Sequence, residues 1–146
     1  MAQRSICILV VDDFEPWRRS VCSMLGARPE LQVVGEAADG LEAVKKAQTL
    51  KPDLVVLDIG LPNLHGIEAA NRIRQVVPST TILFLTAMKD EDVVKAALCI
   101  GQGCVLKSDA VTELLPAVAA VLGGNEFVSS GLSLGNGSRT GIAPVK

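Results

Sequence analysis

The stretch LVVLDIGLPNLHG, residues 54–66, places an acidic residue at the end of an apolar run. Four apolar residues precede Asp58, and Gly60 and Pro62 follow it. An apolar run of this length is typical of a strand that is covered on both faces of a parallel sheet. Ending such a strand in a carboxylate is costly unless the charge has a partner. Asp58 is therefore the first candidate for a functional residue.

Four further runs of the same apolar, β-branched kind lie along the chain, at residues 6–11, 31–36, 81–86 and 103–107. Segments in which the apolar residues have helical spacing separate these runs. Strands that alternate with helices predict a parallel sheet with helices on both faces. The connections between successive strands are expected to be right-handed crossovers.

Length and composition restrict the class of protein. The chain has 146 residues, 49 % of them hydrophobic, which suits one folded domain. No apolar stretch approaches the roughly 20 residues of a membrane helix, and the N-terminal run does not resemble a signal peptide. The formal net charge of −2 provides no basic surface for nucleic acid. Four cysteines without a C-x-x-C pair are typical of buried thiols in a reducing compartment, so we predict a cytoplasmic protein.

The composition changes after Leu122. Residues 129–146 contain eight glycines or serines, which is typical of flexible chain. We therefore predict that residues 1–124 form the folded domain and that residues 125–146 form a Gly/Ser-rich flexible tail or linker.

Polar residues end four of the five predicted strands: Asp12 and Asp13 the first, Asp58 the third, Thr86 the fourth and Lys107 the fifth. Ligands of open α/β sheets bind beyond the carboxyl ends of the strands, where the strand order reverses. If the first and third strands are neighbours, three carboxylates meet there and repel one another, and Mg²⁺ would relieve this repulsion. A hydroxyl and a lysine beside Mg²⁺ suit phosphoryl oxygens, and a carboxylate can attack phosphorus to form an acyl phosphate.

Each of these residues, taken alone, also fits a structural role. The two acids after the first strand could cap the following helix, and Asp58 could belong to a turn. Thr86 could be an ordinary strand residue and Lys107 a solvated loop lysine. Their common position at strand ends favours the site. Arg18 and Arg19, by contrast, are predicted to lie on a solvated helix face, and His65 at an exposed helix start.

The stretches ILVVDDFE, PDLVVLDIGLPNLHGIE, ILFLTA and GCVLKSDA together resemble the receiver domain of two-component response regulators. The resemblance covers about residues 5–127. It implies a flavodoxin-like, doubly wound (βα)5 fold with a parallel five-stranded sheet in the order 2-1-3-4-5. In that order the first and third strands are neighbours, as the converging acids require.

The resemblance also assigns roles to the residues at the strand ends. It implies that Asp58 accepts the phosphoryl group and contributes to a Mg²⁺ site. Further ligands would be Asp13 directly, Asp12 through water, and the backbone carbonyl of Gly60. Thr86 would donate a hydrogen bond to a phosphoryl oxygen, and Lys107 would pair with the phosphoryl charge.

The function implied is that of a phosphoacceptor. A sensor histidine kinase or phosphotransfer protein, or a small donor such as acetyl phosphate, would phosphorylate Asp58 and so switch partner-binding surfaces. These surfaces are expected on the fourth helix, fifth strand and fifth helix, through which a homodimer is one option. An aspartate-based phosphohydrolase needs an acid two residues after the nucleophile, where Gly60 stands. We therefore predict a signalling module and not an enzyme.

The segment ELLPAVAAVLGGNEFVSSGL is similar to the last receiver helix and linker of regulators that carry a LuxR-type helix-turn-helix. The roughly 60 residues of such an output domain are not in the sequence. Two alternatives to an independent phosphoacceptor stay open here. One is the receiver part of a longer DNA-binding regulator, and the other is a docking module that keeps the fold but works without phosphorylation.

Two features depart from the resemblance or refine it. The family usually has Tyr or Phe three residues before the lysine of the fifth strand, and here that position is Cys104. A cysteine cannot act as the usual aromatic switch, so we expect any signal to pass through Thr86 and residues 87–90.

Gly60 and Met88 flank the expected path of the water that would hydrolyse the acyl phosphate. Neither side chain can position that water, which predicts slow self-dephosphorylation.

Overall fold

Six strands form one parallel sheet in the computed structural model, which describes residues 5–132. In chain order the strands are β1 (Ile6–Val11), β2 (Leu31–Ala37), β3 (Leu54–Asp58), β4 (Thr81–Thr86), β5 (Gly103–Leu106) and β6 (Phe127–Val128). The helices are α1 (Glu15–Leu25), α2 (Gly40–Leu50), α3 (Gly66–Val76), α4 (Glu91–Ile100) and α5 (Ala110–Leu122), and a 3₁₀ turn, η1, spans Lys107–Asp109. Every pair of neighbouring strands is parallel.

The strand order is β2-β1-β3-β4-β5-β6. It confirms the predicted doubly wound α/β fold and the predicted order of the first five strands. The sixth strand was not predicted. Phe127 and Val128 lie within the segment 125–146 that the sequence indicated as tail or linker, and they pair with Gly103 and Cys104 of β5. The rest of that predicted tail, 133–146, lies outside the described residues.

Alternate residues of the central strands face opposite sides of the sheet, which produces two apolar layers. Leu9, Val55 and Leu57 pack with α2, α3 and α4 on one side. Ile8, Val10 and Val56 pack with α1 and α5 on the other side. Because β3 is covered on both faces, all five of its residues are buried, including the terminal acid. The two layers thus hold the carboxyl ends of β1 and β3 in fixed positions.

Side-chain caps begin several of the helices. Asp39 accepts a hydrogen bond from the Glu42 amide at the start of α2, and the Glu42 side chain accepts one from Ala38 in return. This arrangement satisfies the Glu42 amide, which the first helical turn leaves unpaired, and the amide of the residue before the cap. His65 caps α3 through the Ile67 amide and is exposed, as predicted.

Among residues 5–132, no helix combines the length and apolar character that a membrane crossing requires.

Candidate functional site

Four of the predicted site residues lie together at the carboxyl ends of their strands, because these strands are parallel and adjacent. Asp12 follows β1 and Asp58 ends β3, and these two strands are hydrogen-bonded neighbours. Thr86 ends β4 beside Leu106 of β5, so Lys107 comes immediately after its partner in the sheet. The predicted convergence of strand-end residues is therefore present in the fold.

The carboxylates and the lysine are in contact. Lys107 Nζ lies 2.6 Å from Asp12 Oδ2 and 3.4 Å from Asp58 Oδ2. Carboxylate oxygens of Asp12, Asp13 and Asp58 all lie within 4.8 Å of one another. Asp12 is 2 % exposed and Asp58 is 8 % exposed, whereas Asp13 reaches solvent. Three acids and one lysine leave the cluster short of positive charge.

The environment of Asp58 disfavours its ionised form. Burial raises the pKa of the Asp58 carboxyl above its usual 3.8, and the neighbouring Asp12 charge acts in the same direction. The Lys107 ammonium opposes this shift in pKa, as does the Gly60 amide, which donates to Asp58 Oδ1 at 3.3 Å. The fold therefore holds a carboxylate that would gain from an additional positive charge.

The donor set fits a divalent cation. Asp12 Oδ2 is buried and, apart from the nearby Lys107 ammonium, has no hydrogen-bond partner of normal geometry among the described residues. Carboxylate oxygens at this spacing are the ligands that Mg²⁺ prefers. Among residues 5–132, this is the one cluster of three acidic, histidine or cysteine side chains with metal-ligand spacing.

Thr86 has a hydroxyl proton to donate. The side chain is 1 % exposed, and its Oγ1 accepts a hydrogen bond from the Met88 amide at 2.9 Å. In the other direction the hydroxyl has only a 3.5 Å contact with the Met88 carbonyl, at the limit of hydrogen bonding. A phosphoryl oxygen within reach would be a better acceptor for this proton.

The loop after Asp58 is shaped by one close approach and one left-handed residue. A Cβ on Gly66 would come 2.2 Å from the Asp58 carbonyl oxygen, so the start of α3 packs directly on the backbone of the acceptor residue. Asn63 has φ of 67° and donates from its side chain to Asp39 at 2.9 Å. Gly60 differs from Gly66, because a Cβ there would meet nothing within 4 Å. Open space thus lies beside the acid at the position two residues later.

Comparison with known proteins agrees with this geometry. The model of the response regulator receiver domain family matches residues 8–119 of the chain. This chain belongs to the receiver domain family of response regulators. VraR of Staphylococcus aureus, a response regulator, is 36 % identical over 115 residues, which is 78 % of this chain and 55 % of VraR. The chain therefore spans about half the length of this relative.

Solved structures show the same fold. A LuxR-family two-component response regulator from Aurantimonas sp. SI85-9A1 aligns with a TM-score of 0.82 and 35 % identity, over 86 % of this chain and 91 % of that one. The receiver domain of a NarL-type regulator from Mycobacterium tuberculosis aligns with a TM-score of 0.79 and 30 % identity, over 84 % of this chain and all of that one. The flavodoxin-like receiver fold is thus shared with LuxR-family regulators.

One residue near the receiver's acidic cluster has a different role from the predicted one. Arg18 was predicted on a solvated helix face, but its side chain is 15 % exposed. Its Nη1 donates to the Asp12 carbonyl oxygen at 2.7 Å, and its Nε donates to Glu36 Oε1 at 2.8 Å. Arg18 therefore ties the end of β1 to β2 and fixes the backbone of Asp12. Arg19 does lie on the exposed face, where it pairs with Glu15.

The ring of Trp17 was another neighbour of the site that the sequence did not indicate. Its centroid lies 5.7 Å from Lys107 Nζ, within the range of a cation–π contact. Trp17 is also the single tryptophan of the chain. We therefore expect its fluorescence to respond to a displacement of Lys107, without interference from a second indole.

Cys104 occupies the position where the receiver family usually has its switch aromatic. The thiol is fully buried, and burial raises its pKa to about 12. It is therefore a neutral, unreactive side chain in the apolar layer on the α4 side of the sheet. Its backbone carbonyl accepts a hydrogen bond from Ser129, just after β6.

Proposed function

We propose that Asp58 of this receiver accepts a phosphoryl group from a phosphohistidine or from a small phosphodonor. The observation that carries this proposal is the contact at the end of β3. A buried acid with a raised pKa lies 3.4 Å from the ammonium of Lys107, in a cluster with two other carboxylates. Such a carboxylate is positioned for nucleophilic attack on phosphorus.

The transfer would exchange one bond for another. An Asp58 oxygen forms a bond to phosphorus while the bond from phosphorus to the donor histidine nitrogen breaks. The electron pair of the broken bond stays on that nitrogen. Lys107 faces Asp58 Oδ2 and would pair with the charge of the transferred group, and Thr86 would donate its hydroxyl proton to a phosphoryl oxygen.

We further propose that the acidic cluster holds Mg²⁺. The ligands would be Asp12, Asp13, Asp58 and the backbone carbonyl of Gly60. When bound, Mg²⁺ would supply the positive charge that the cluster lacks and would neutralise phosphoryl oxygens during transfer. Before transfer, the chain's own contribution is to keep the three carboxylates close together and to hold Lys107 beside two of them.

The phosphoryl group is expected to persist once it is bound. Hydrolysis needs a side chain that positions water, and the space beside Gly60 is open. Met88, on the other side of the expected water path, has an apolar side chain. A module without this assistance stores a signal and does not turn over a substrate, which supports the prediction that the protein is not an enzyme.

The partners follow from this chemistry. We propose that the protein acts in the cytoplasm, with a sensor histidine kinase or phosphotransfer protein as the donor. Phosphorylation would act on the surface of α4, β5 and α5. A homodimer through that surface is one outcome. The similarity to LuxR-family regulators, and the share of VraR that the chain spans, favour a receiver that serves a longer DNA-binding regulator as the second candidate. Nucleic-acid contact would then belong to another part of that protein.

Intact-mass spectrometry tests the proposal. Incubation with acetyl phosphate and Mg²⁺ should add one phosphoryl group to the wild type and none to Asp58→Asn. Asp92→Asn, which changes an exposed acid in the first turn of α4, is the matched control and should be labelled like the wild type. Labelling of Asp58→Asn would show that another residue accepts the phosphoryl group. An unlabelled wild type whose Trp17 fluorescence still responds to Mg²⁺ would favour the docking module.

A further inference from the structure

The segment after α5 forms part of the folded receiver. Residues 127–132, here called the strap, run along the free edge of β5. The Phe127 amide donates to the Gln102 carbonyl at 3.2 Å, and the Ser129 amide donates to the Cys104 carbonyl at 2.9 Å. Leu132 is buried in the same apolar layer as Leu106. The strap thus covers the edge strand of the surface through which receiver signals are expected to pass.

Two serine hydroxyls fasten the strap to two carboxylates. Ser129 Oγ lies 2.8 Å from Asp109 Oδ2 and 2.5 Å from Glu113 Oε1, and Ser130 Oγ lies 2.6 Å from Glu113 Oε2. We call these four residues the latch. Ser129 has one hydroxyl proton, so it can donate to only one of its two carboxylates at a time. Asp109 and Glu113 therefore compete for the proton of Ser129, and a small displacement of either acid changes which of them accepts it.

The latch and the acidic cluster share one short element. Lys107 and Asp109 are the two ends of η1. The ammonium at the first end contacts Asp12 and Asp58, and the carboxylate at the second end accepts from Ser129. Any displacement of Lys107 toward a group on Asp58 therefore acts on a turn whose other end holds the strap.

A glycine brings the strap close to this turn. A Cβ on Gly131 would come 2.6 Å from Asp109 Oδ2 and 3.0 Å from Leu106 Cδ2. Leu106 is in turn the sheet partner of Thr86, the second residue expected to respond to a phosphoryl group. The strap is thus in close contact with Leu106 and Asp109, which lie on either side of Lys107, and Leu106 also pairs with Thr86 in the sheet.

We propose that the strap is the read-out element of this receiver, in place of the aromatic switch that Cys104 cannot provide. Phosphorylation of Asp58 draws Lys107 and Thr86 toward the phosphoryl oxygens, shifts η1, opens the latch and releases residues 127–132 from β5. The inference rests on the proposed function, because it requires a group on Asp58. Release would expose the backbone edge of β5 to a partner.

Hydrogen–deuterium exchange of the strap amides tests this inference, with beryllofluoride and Mg²⁺ as the phosphoryl mimic. In the wild type, exchange at Phe127 and Ser129 should become about tenfold faster when the mimic binds, the size of a typical coupling between two sites. In Gly131→Ala these amides should already exchange rapidly without the mimic. Gly26→Ala is the matched control, because its Cβ would meet backbone oxygens at an ordinary 3.4 Å.

Because binding of the mimic and release of the strap are coupled, each should favour the other, which allows a second measurement. If the latch opposes the activated state, Gly131→Ala should bind beryllofluoride several-fold more tightly than the wild type, by Trp17 fluorescence titration. Unchanged strap exchange in a wild type whose fluorescence shows the mimic bound would overturn the strap proposal and leave the proposed function intact. Slow exchange in Gly131→Ala would also overturn it. If the wild type neither binds beryllofluoride nor takes label from acetyl phosphate, both proposals fail.

Discussion

The acidic cluster at the ends of β1 and β3 and the latch beside β5 both bring carboxylates together. The carboxylates of the cluster are short of hydrogen-bond and ion-pair partners, whereas those of the latch have them. In the cluster, one lysine contacts two of the three acids, and Asp12 Oδ2 has no hydrogen bond of normal geometry among the described residues. In the latch, Asp109 accepts a hydrogen bond from the Ser129 hydroxyl and Glu113 accepts one from the Ser130 hydroxyl. Carboxylates that the fold leaves short of partners indicate a ligand site, whereas satisfied ones indicate an internal contact.

The two glycines beneath these regions should differ most in their cost of substitution. A Cβ on Gly66 would meet the backbone of Asp58 and Ile59 at 2.2 and 2.6 Å, and backbone cannot move aside. The nearest atom to a Cβ on Gly131 is the tip of a side chain. Gly66→Ala should therefore lower the free energy of unfolding by about 3 kcal/mol and Gly131→Ala by less than about 1 kcal/mol, as urea denaturation would measure. Equal costs would mean that the strap is as rigid as the site.

Removing Lys107, the cation that contacts both buried acids of the cluster, should have the next largest effect. Lys107→Gln leaves Asp12 and Asp58 buried without their shared partner, so in EDTA it should destabilise the fold by about 2 kcal/mol. Lys95→Gln breaks an exposed pair with Glu91 at 3.7 Å and should cost less than about 0.5 kcal/mol. Urea denaturation of the two variants would measure both changes. A similar cost for the two variants would show that Lys107 does not balance the buried acids.

The difference between the two regions also explains what the sequence could predict. The cluster was predictable because each member ends a recognisable apolar strand, and parallel strands end at one edge. The strap was missed because β6 has only two residues, within a stretch of glycine and serine. Arg18 was missed because its partner Glu36 lies on β2, beyond an irregular register between Ile8 and Leu9. Such contacts depend on tertiary register, which local patterns do not encode.

The open space beside Gly60 provides a kinetic test of the site. Gly60→Asn would add a polar side chain where nothing stands within 4 Å of the Cβ position, and it should position water for attack on the acyl phosphate. We expect loss of the phosphoryl group to become about tenfold faster, equivalent to about 1.4 kcal/mol in the barrier. Decay of the phosphorylated mass after removal of the donor measures this rate. Gly26→Asn adds the same side chain away from the site and should decay like the wild type. An unchanged rate in Gly60→Asn would show that water does not approach past this residue.

Replacing Asp58 should have one of the smallest effects on stability, but it should stabilise the protein where the other substitutions destabilise it. Because burial raises the pKa of the Asp58 carboxyl, the folded state prefers the protonated form, and ionisation costs stability as pH rises above 3.8 and through the folded pKa. Asp58→Asn removes that charge and should stabilise the protein in EDTA by about 1 kcal/mol at neutral pH. The gain should shrink as pH falls through the raised folded pKa toward 3.8, because the wild type then takes up the proton.

Asp92→Asn should change the free energy of unfolding in the opposite direction from Asp58→Asn. It removes a negative charge from the first turn of α4, where the helix dipole favours one, and should cost about 0.3 kcal/mol. Urea denaturation across pH, with and without Mg²⁺, compares the two variants. Mg²⁺ should stabilise the wild type and so reduce the advantage of Asp58→Asn. A destabilised Asp58→Asn in EDTA would mean that Lys107 satisfies Asp58 fully. The acidic cluster would then resemble the latch, and the charge argument for a ligand there would be lost.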